Sequence, residues 1–467
     1  MSTNHQLRAR RRTLIFLNIL VSCIASSMLA TALTTALAPL SRDLGISVTT
    51  GQWITSGYSL AMGIIMPLTA FLITRFSTKK LYLSGIGIFI LGLVVSLLST
   101  TFPVMMAGRI LQACGNGILM SMAQVVILSI YPADRKGTIM GWYGLASGAA
   151  PVIAPTLAGV LIDVFSWRAI FTVACAVMIV ALVMALFVFD DVLETHYKRF
   201  DITSFLLSVF AFGGITLGVG NIGSVSASDP LLWGPLAVGI ITGIIFAYRQ
   251  LHLDAPFLDL RILKSRDYAL SVIGSMLLYF VMMGSSVLMP LYVQSVMGHS
   301  ATVSGLVTLP GSLAMAIVSP FAGKIFDRLG IKTLFIAGAS FMLLSNIGMI
   351  FITLHTSLVV AALYNTVRNI AIGCLMMPLI TWGTLHIDHT RVADATALLT
   401  SLRTITGAIG SAIFVGIMSM VATASLGTYG ENAQIHGLNI AYLWMALSTV
   451  VLLAIAVFFV KDRKRRS

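Results

Sequence analysis

Charge is what this sequence is short of. Asp, Glu, Lys and Arg make up 10% of its 467 residues, against roughly 25% in a soluble globular domain. Sixteen residues are acidic, and all of them lie outside the long apolar runs or at their ends. A surface built from so few charges cannot face water, which argues against a soluble fold. Cysteine is scarce too. Cys23, Cys114, Cys175 and Cys374 sit in apolar runs without metal-ligand spacing, so neither a disulfide framework nor a zinc site is expected. No Gly-x-x-x-x-Gly-Lys-Ser/Thr loop occurs, which removes the usual means of hydrolysing ATP. The longest polar stretch, Arg249 to Asp267, is too short for a soluble catalytic domain. The chain is expected to be no enzyme and to need no cofactor or metal.

What is present is hydrocarbon: 58% of residues are hydrophobic. A spanning helix needs about 20 mostly apolar residues. Fourteen segments qualify: 13–38, 50–73, 81–98, 102–130, 137–162, 169–189, 202–220, 231–248, 268–293, 303–323, 334–352, 358–385, 395–425 and 438–460. The sequence therefore predicts an all-α integral membrane bundle. Leu20-Val21-Ser22-Cys23 looks like a lipoprotein cleavage box, but uncharged residues continue from Thr13 to Leu40. A signal-peptide core runs only about 7–15 residues, so the reading is a retained first helix.

The basic residues fix an orientation. With the N-terminus in the cytoplasm and the helices alternating, 24 of the 29 Lys and Arg fall on the cytoplasmic side. Arg42 and Arg168 fall outside, and Arg109, Arg368 and Arg403 fall within spans. This is the positive-inside asymmetry, with both termini cytoplasmic. It accounts for the formal charge of +13 without a nucleic-acid partner.

The chain also repeats. The loop Gly323-Lys324-Ile325-Phe326-Asp327-Arg328-Leu329-Gly330-Ile331-Lys332 aligns with 70–79 at an offset of 253, and Arg368 follows Arg109 at 259. Two matched pairs point to a duplicated six-helix bundle, a common transporter plan. The expected units are 1–190, a two-helix insert with linker at 191–265, and 266–467.

These residues carry a resemblance. Gly323, Asp327, Arg328, Gly330 and Lys332 match the loop signature of the major facilitator superfamily. Arg109-x-x-Gln112-x-x-Gly115 resembles its fourth-helix motif, and Pro151-x-x-Ala154-Pro155-x-x-Ala158-Gly159 its antiporter motif. Trp167-Arg168 and Pro256-x-Leu258-Asp259-Leu260-Arg261 are similar to hallmarks of the fourteen-helix drug:proton antiporters. The run from Gln52 to Leu81 looks closest to the lincomycin-resistance-type branch.

The resemblance implies multidrug or amphiphile efflux by alternating access, with protons as the exchanged ion, in a monomer of the plasma membrane. Alternatives are a specific metabolite or lipid exporter and a carrier without proton coupling. A non-transporting membrane sensor or scaffold is a remoter one. Arg109, with Gln112 one turn on, and Arg368 are expected to handle protons or substrate, because an intramembrane charge normally faces a polar cavity. Arg403 is expected to snorkel to the interface. Gly323, Asp327, Arg328, Gly330 and Arg75 are expected to gate the cycle. The small residues and prolines of the fifth helix, Gly148, Pro151, Pro155 and Gly159, are expected to pack closely and bend.

One feature departs from the pattern. Where the family carries an acidic residue in the first helix, this chain has Ala30. Its nearest substitutes are Asp43, Asp163, Asp394, His355 and His386, each read as a solvated residue near a membrane face. Met120, Met122, Met282, Met283, Met376 and Met377 are candidates for an adaptable apolar lining.

Overall fold

Runs of nineteen or more apolar residues have one stable solution in lipid, the α-helix, because it satisfies its own backbone polar groups. The computed structural model describes residues 9–460 apart from 47, 194, 196–199, 221–228, 254–255, 257, 300, 386, 389 and 390, and leaves some helical side chains undescribed, including Ala30, Pro151, Pro155 and Asp163. Among the described residues all regular structure is helical. The first six helices are α1 (Ala9–Asp43), α2 (Val48–Arg75), α3 (Thr78–Leu97), α4 (Phe102–Ile130), α5 (Lys136–Val164) and α6 (Arg168–Val188). An inserted pair follows, α7 (Ile202–Gly220) and α8 (Pro230–His252). The last group comprises α9 (Arg266–Leu291), α10 (Ala301–Leu329), α11 (Ile331–Ile350), α12 (Leu358–Thr384) and α13 (Val392–Ala424), the short α14 (Leu426–Tyr429), and α15 (Ala433–Ala454).

All of these except α14 fall on the fourteen apolar segments of the sequence. Twelve are long and apolar enough to cross a bilayer over described residues alone. The other two, α2 and α5, are 28 and 29 residues long. Their outward faces are greasy: Phe165, Phe187, Ile244 and Phe458 are all largely exposed. Large apolar patches of this kind mark a surface that meets lipid.

Contacts between helix ends establish the alternation. At one end of the bundle Arg11 of α1 meets Asp190, just past α6, at 2.6 Å. The Lys79 amide of α3 donates to Asp191 at 2.9 Å. Arg249 of α8 pairs with Asp201, before α7, at 3.1 Å, and Arg266 of α9 donates to the Phe459 carbonyl beyond α15 at 3.3 Å. At the other end Arg168 of α6 meets Asp43 of α1 at 2.6 Å and the Ser99 carbonyl after α3 at 3.1 Å. The first end also carries Arg75, Arg135 and Arg328 and is called the basic face below.

Helices α7 and α8 pack chiefly on each other, and α7 leans on α2 and α13. One apolar core belongs to α9–α15 alone. The other fills α1–α6 and continues across to Tyr268, Met377, Val392 and Leu398. Those crossing residues lie near the ends of α9, α12 and α13 that reach the basic face. The two groups of helices are thus fused there.

Candidate functional site

The seam between α5 and α10 is closest at the basic face, because glycines line it. A Cβ on Gly323 would collide with the carbonyl oxygen of Gly137. Gly141 and Gly148 face Ser319 and Met315 of α10 in the same way, and Gly144 faces Met377 of α12. Gly159, toward the opposite end of α5, has nothing within 4 Å of where a Cβ would lie. Toward that end the close packing expected of this helix falls to Ala154 and Ala158, both 1% exposed. The side chains of Pro151 and Pro155 lie outside the described residues.

Asp327 locks that seam. Its Oδ1 accepts from the Gly137 amide at 2.9 Å. Its Oδ2 accepts from the Thr138 amide and the Thr138 hydroxyl, both at 2.7 Å. The carboxylate thus caps the N-terminus of α5, where free N–H groups and the helix dipole favour negative charge. Gly330, which starts the turn into α11, has φ 84°, a conformation costly for any residue with a side chain. Arg328 ends α10 exposed to solvent, as Arg75 does at the end of α2.

The earlier copy of the loop is wired differently. Thr74 stands where the later loop has Asp327, and its hydroxyl turns back to the Phe71 carbonyl of its own helix at 2.9 Å. The Lys79 ammonium donates to the Leu186 carbonyl of α6, within the same six helices. Lys79 therefore makes a tie inside one group of helices.

Three arginines are buried in the spans: Arg109, Arg368 and Arg403 are all at most 5% exposed. Each guanidinium sits over a tyrosine ring. Arg109 is 4.1 Å from the Tyr58 ring centre, Arg403 4.7 Å from Tyr279, and Arg368 5.8 Å from Tyr442. Such cation–π contacts stabilise by about 2 kcal/mol when desolvated, which offsets much of the cost of about 2.5–3.5 kcal/mol for an intramembrane charge.

Their hydrogen bonds distinguish them. Arg109 donates to the Ile54 carbonyl of α2 at 3.1 Å and to Gln112 at 2.7 Å. Gln112 in turn donates to the Gly92 carbonyl and the Ser96 hydroxyl of α3. Asn116, one turn further, donates to the Tyr58 hydroxyl at 2.7 Å. This network ties α2, α3 and α4 together inside the first six helices. On the neighbouring face of α4, Met106, Ile110 and Cys114 join Trp53, Gly57 and Ile64 of α2 around an apolar groove of about 740 Å³. Arg368 donates to Asn365 at 2.6 Å on its own helix. Arg403 lies eleven residues into α13 and does not snorkel, contrary to expectation: Tyr279 covers it within the bundle.

The acidic candidates divide. Asp43 is half exposed and held by Arg168 and by the Trp167 indole at 3.1 Å. Those hydrogen bonds keep its carboxyl below the usual range. His355 is exposed between α11 and α12, and His386 lies outside the described residues. Asp394 corrects the reading of a solvated residue: it is 4% exposed, in the first turn of α13. Among the methionines, Met377 reaches the seam, Met120 accepts from the Tyr143 hydroxyl at 3.5 Å, and Met122 is fully buried core.

A bundle of two helix groups with a carboxylate lock on a glycine seam agrees with the family signature in the loop. The Major Facilitator Superfamily profile matches residues 15–411. The chain belongs to that superfamily. Its members here are transporters rather than enzymes. The lincomycin resistance protein LmrB of Bacillus subtilis is 34% identical over 87% of this chain and 85% of its own length. The riboflavin transporter RibZ of Clostridioides difficile is 25% identical over 97% and 98%. The superfamily fold recurs in the solved structure of the human organic anion transporter MFSD10, with TM-score 0.63 and 13% identity, covering 95% of this chain and all of that one.

Proposed function

We infer that this superfamily member exports small amphiphilic molecules across the plasma membrane by alternating access, exchanging them for protons. The observation that carries the reading is the Asp327 cap on α5, beside a seam that is tight at the basic face and open around Gly159. The asymmetry of Lys and Arg supports a cytoplasmic basic face, with both termini there. The described conformation is then shut toward the cytoplasm, and breaking the Asp327 cap begins the return. The apolar groove of α2 and α4 suits lipophilic cargo. The Arg109–Gln112 network holds its wall, and Arg368 does the same for α12. The resistance protein among the relatives supports drug-like substrates.

Proton exchange requires a group that binds and releases a proton. Among the described side chains Asp394 is the carboxylate buried within a spanning helix, in the first turn of α13. We assign it that role.

The decisive experiment loads everted membrane vesicles with lincomycin or a dye of similar size. A proton gradient drives accumulation in vesicles holding the wild-type chain, and a protonophore abolishes it. Accumulation that survives the protonophore would remove proton exchange. Absence of movement for a broad panel, with riboflavin alone transported, would favour a specific metabolite carrier like the relative RibZ.

A further inference from the structure

Each of the three buried arginines keeps an unpartnered nitrogen, but Arg403 is the one with no hydrogen-bond acceptor among the described residues. Arg109 and Arg368 each have a hydrogen-bond acceptor and each lie within one group of helices. Arg403 is 5% exposed, yet its Nε and Nη1 have no acceptor, and no ion pair joins it among the described residues. A buried guanidinium with spare N–H donors on two nitrogens attracts the oxygens of a carboxylate or phosphate. A buried donor without a partner costs about 1–3 kcal/mol, so such a site is completed by something absent from the apo chain.

Its surroundings come from both halves. Tyr279 of α9 stacks on Arg403, and Tyr143 of α5 lies in its neighbourhood. Around these rings further polar atoms lack partners: the Gln124 carbonyl of α4, the Ser275 hydroxyl of α9, and the Thr400 hydroxyl of α13. Gln124 neighbours Tyr143. Ser275 and Thr400 lie one helical turn from Tyr279 and Arg403, on the same faces. By length along α13, Arg403 lies about 16 Å from the basic end, near mid-membrane for a core of about 30 Å.

We propose that Arg403 is the recognition charge for the anionic group of the transported amphiphile. This rests on the export reading. The Asp327 seam covers the site, so the ligand enters from the basic face once α5 and α10 part. The ligand class is an amphiphile bearing a carboxylate or phosphate, with its apolar body against the methionines of the seam.

The test uses the purified full chain in maltoside micelles, with dansyl-labelled undecanoic acid and its methyl ester as probes. Wild type should bind the acid at least tenfold more tightly than the ester. Arg403→Gln should lose that preference and keep its affinity for the ester. Arg403→Lys, which retains charge but not donors on two nitrogens, should reduce the preference severalfold. Equal binding of acid and ester by wild type overturns the proposal, as does an unchanged preference in either variant. If Arg403→Gln does not fold, the wild-type comparison and the lysine variant still decide. Displacement of the acid by phosphatidylglycerol at equal mole fraction would assign the site to a lipid headgroup and overturn the substrate role. In proteoliposomes, a retained binding preference with no movement of either probe defeats the export reading and leaves the anion site standing.

Discussion

Asp327 at the end of α10 receives both the amide and the hydroxyl of Thr138, at 2.7 Å each, across the seam between two six-helix groups. Its carboxylate gathers three donors across that seam. A charge-assisted hydrogen bond contributes about 1.5–3 kcal/mol. We propose the pair as the switch for the closed state. In Asp327→Asn, spin labels at Arg135 and Lys324, both exposed beside the seam, should show a longer, broader distance distribution. Transport should fall at least tenfold. An unchanged distribution would refute the role.

Gly323→Ala tests the same closure sterically. The added methyl meets the Gly137 carbonyl, backbone that cannot rotate away. The seam should open without any loss of charge, and the label distances should lengthen as in the Asp327 variant. Gly330→Ala should act differently. Its strain of roughly 1 kcal/mol or more at positive φ lowers thermal stability and leaves the seam distance in folded protein unchanged.

Arg109→Ala removes the donor to Ile54 and Gln112 and leaves the buried Gln112 carbonyl oxygen without it, while the Ile54 carbonyl stays in the α2 ladder. At about 1–3 kcal/mol for that orphaned group, the melting temperature should drop by a few degrees. Substrate affinity should fall with it, because the groove wall loses its tie. Arg109→Lys should recover part of the stability. A variant with wild-type stability and transport would remove Arg109 from the site.

At the opposite face, Asp43 is held below the usual carboxylate range by Arg168 first and Trp167 second. A depressed folded-state pKa adds stability above the unfolded value of about 3.9, and that stability disappears as pH falls through the folded pKa. Asp43→Asn should therefore differ from wild type in melting temperature at pH 7 and converge on it below about pH 4. The effect is small, because the pair is solvated.

Asp394→Asn fixes the group in a neutral form. Substrate binding in micelles should persist, while proton-driven accumulation in vesicles stops. Accumulation that still follows the gradient would move the proton site elsewhere.

Much of this architecture was legible because lipid leaves the chain few options. Every predicted span became a helix, with ends displaced by a few residues where loops proved short. Gly323, Asp327 and Gly330 could be singled out as a loop signature, yet the acceptor geometry at Thr138 needed coordinates, since it joins residues 189 apart. Arg403 and Asp394 were misjudged for one reason. Counting residues from the end of an apolar run measures depth along a helix, not which neighbour covers the side chain. Tyr279 of another helix covers Arg403, and it lies far from it in sequence. An aromatic placed thirteen residues into α9 carries no sequence mark of an arginine partner.

The choice of tyrosine faces instead of carboxylates beside Arg109, Arg368 and Arg403 has an electrical consequence. A ring quadrupole stabilises a cation without cancelling its charge. Any rocking that shifts these helices along the membrane normal therefore displaces net positive charge through the transmembrane field, at about 2.3 kcal/mol per full elementary charge per 100 mV. The voltage across the bilayer then biases which way the carrier faces, independently of any ion it exchanges.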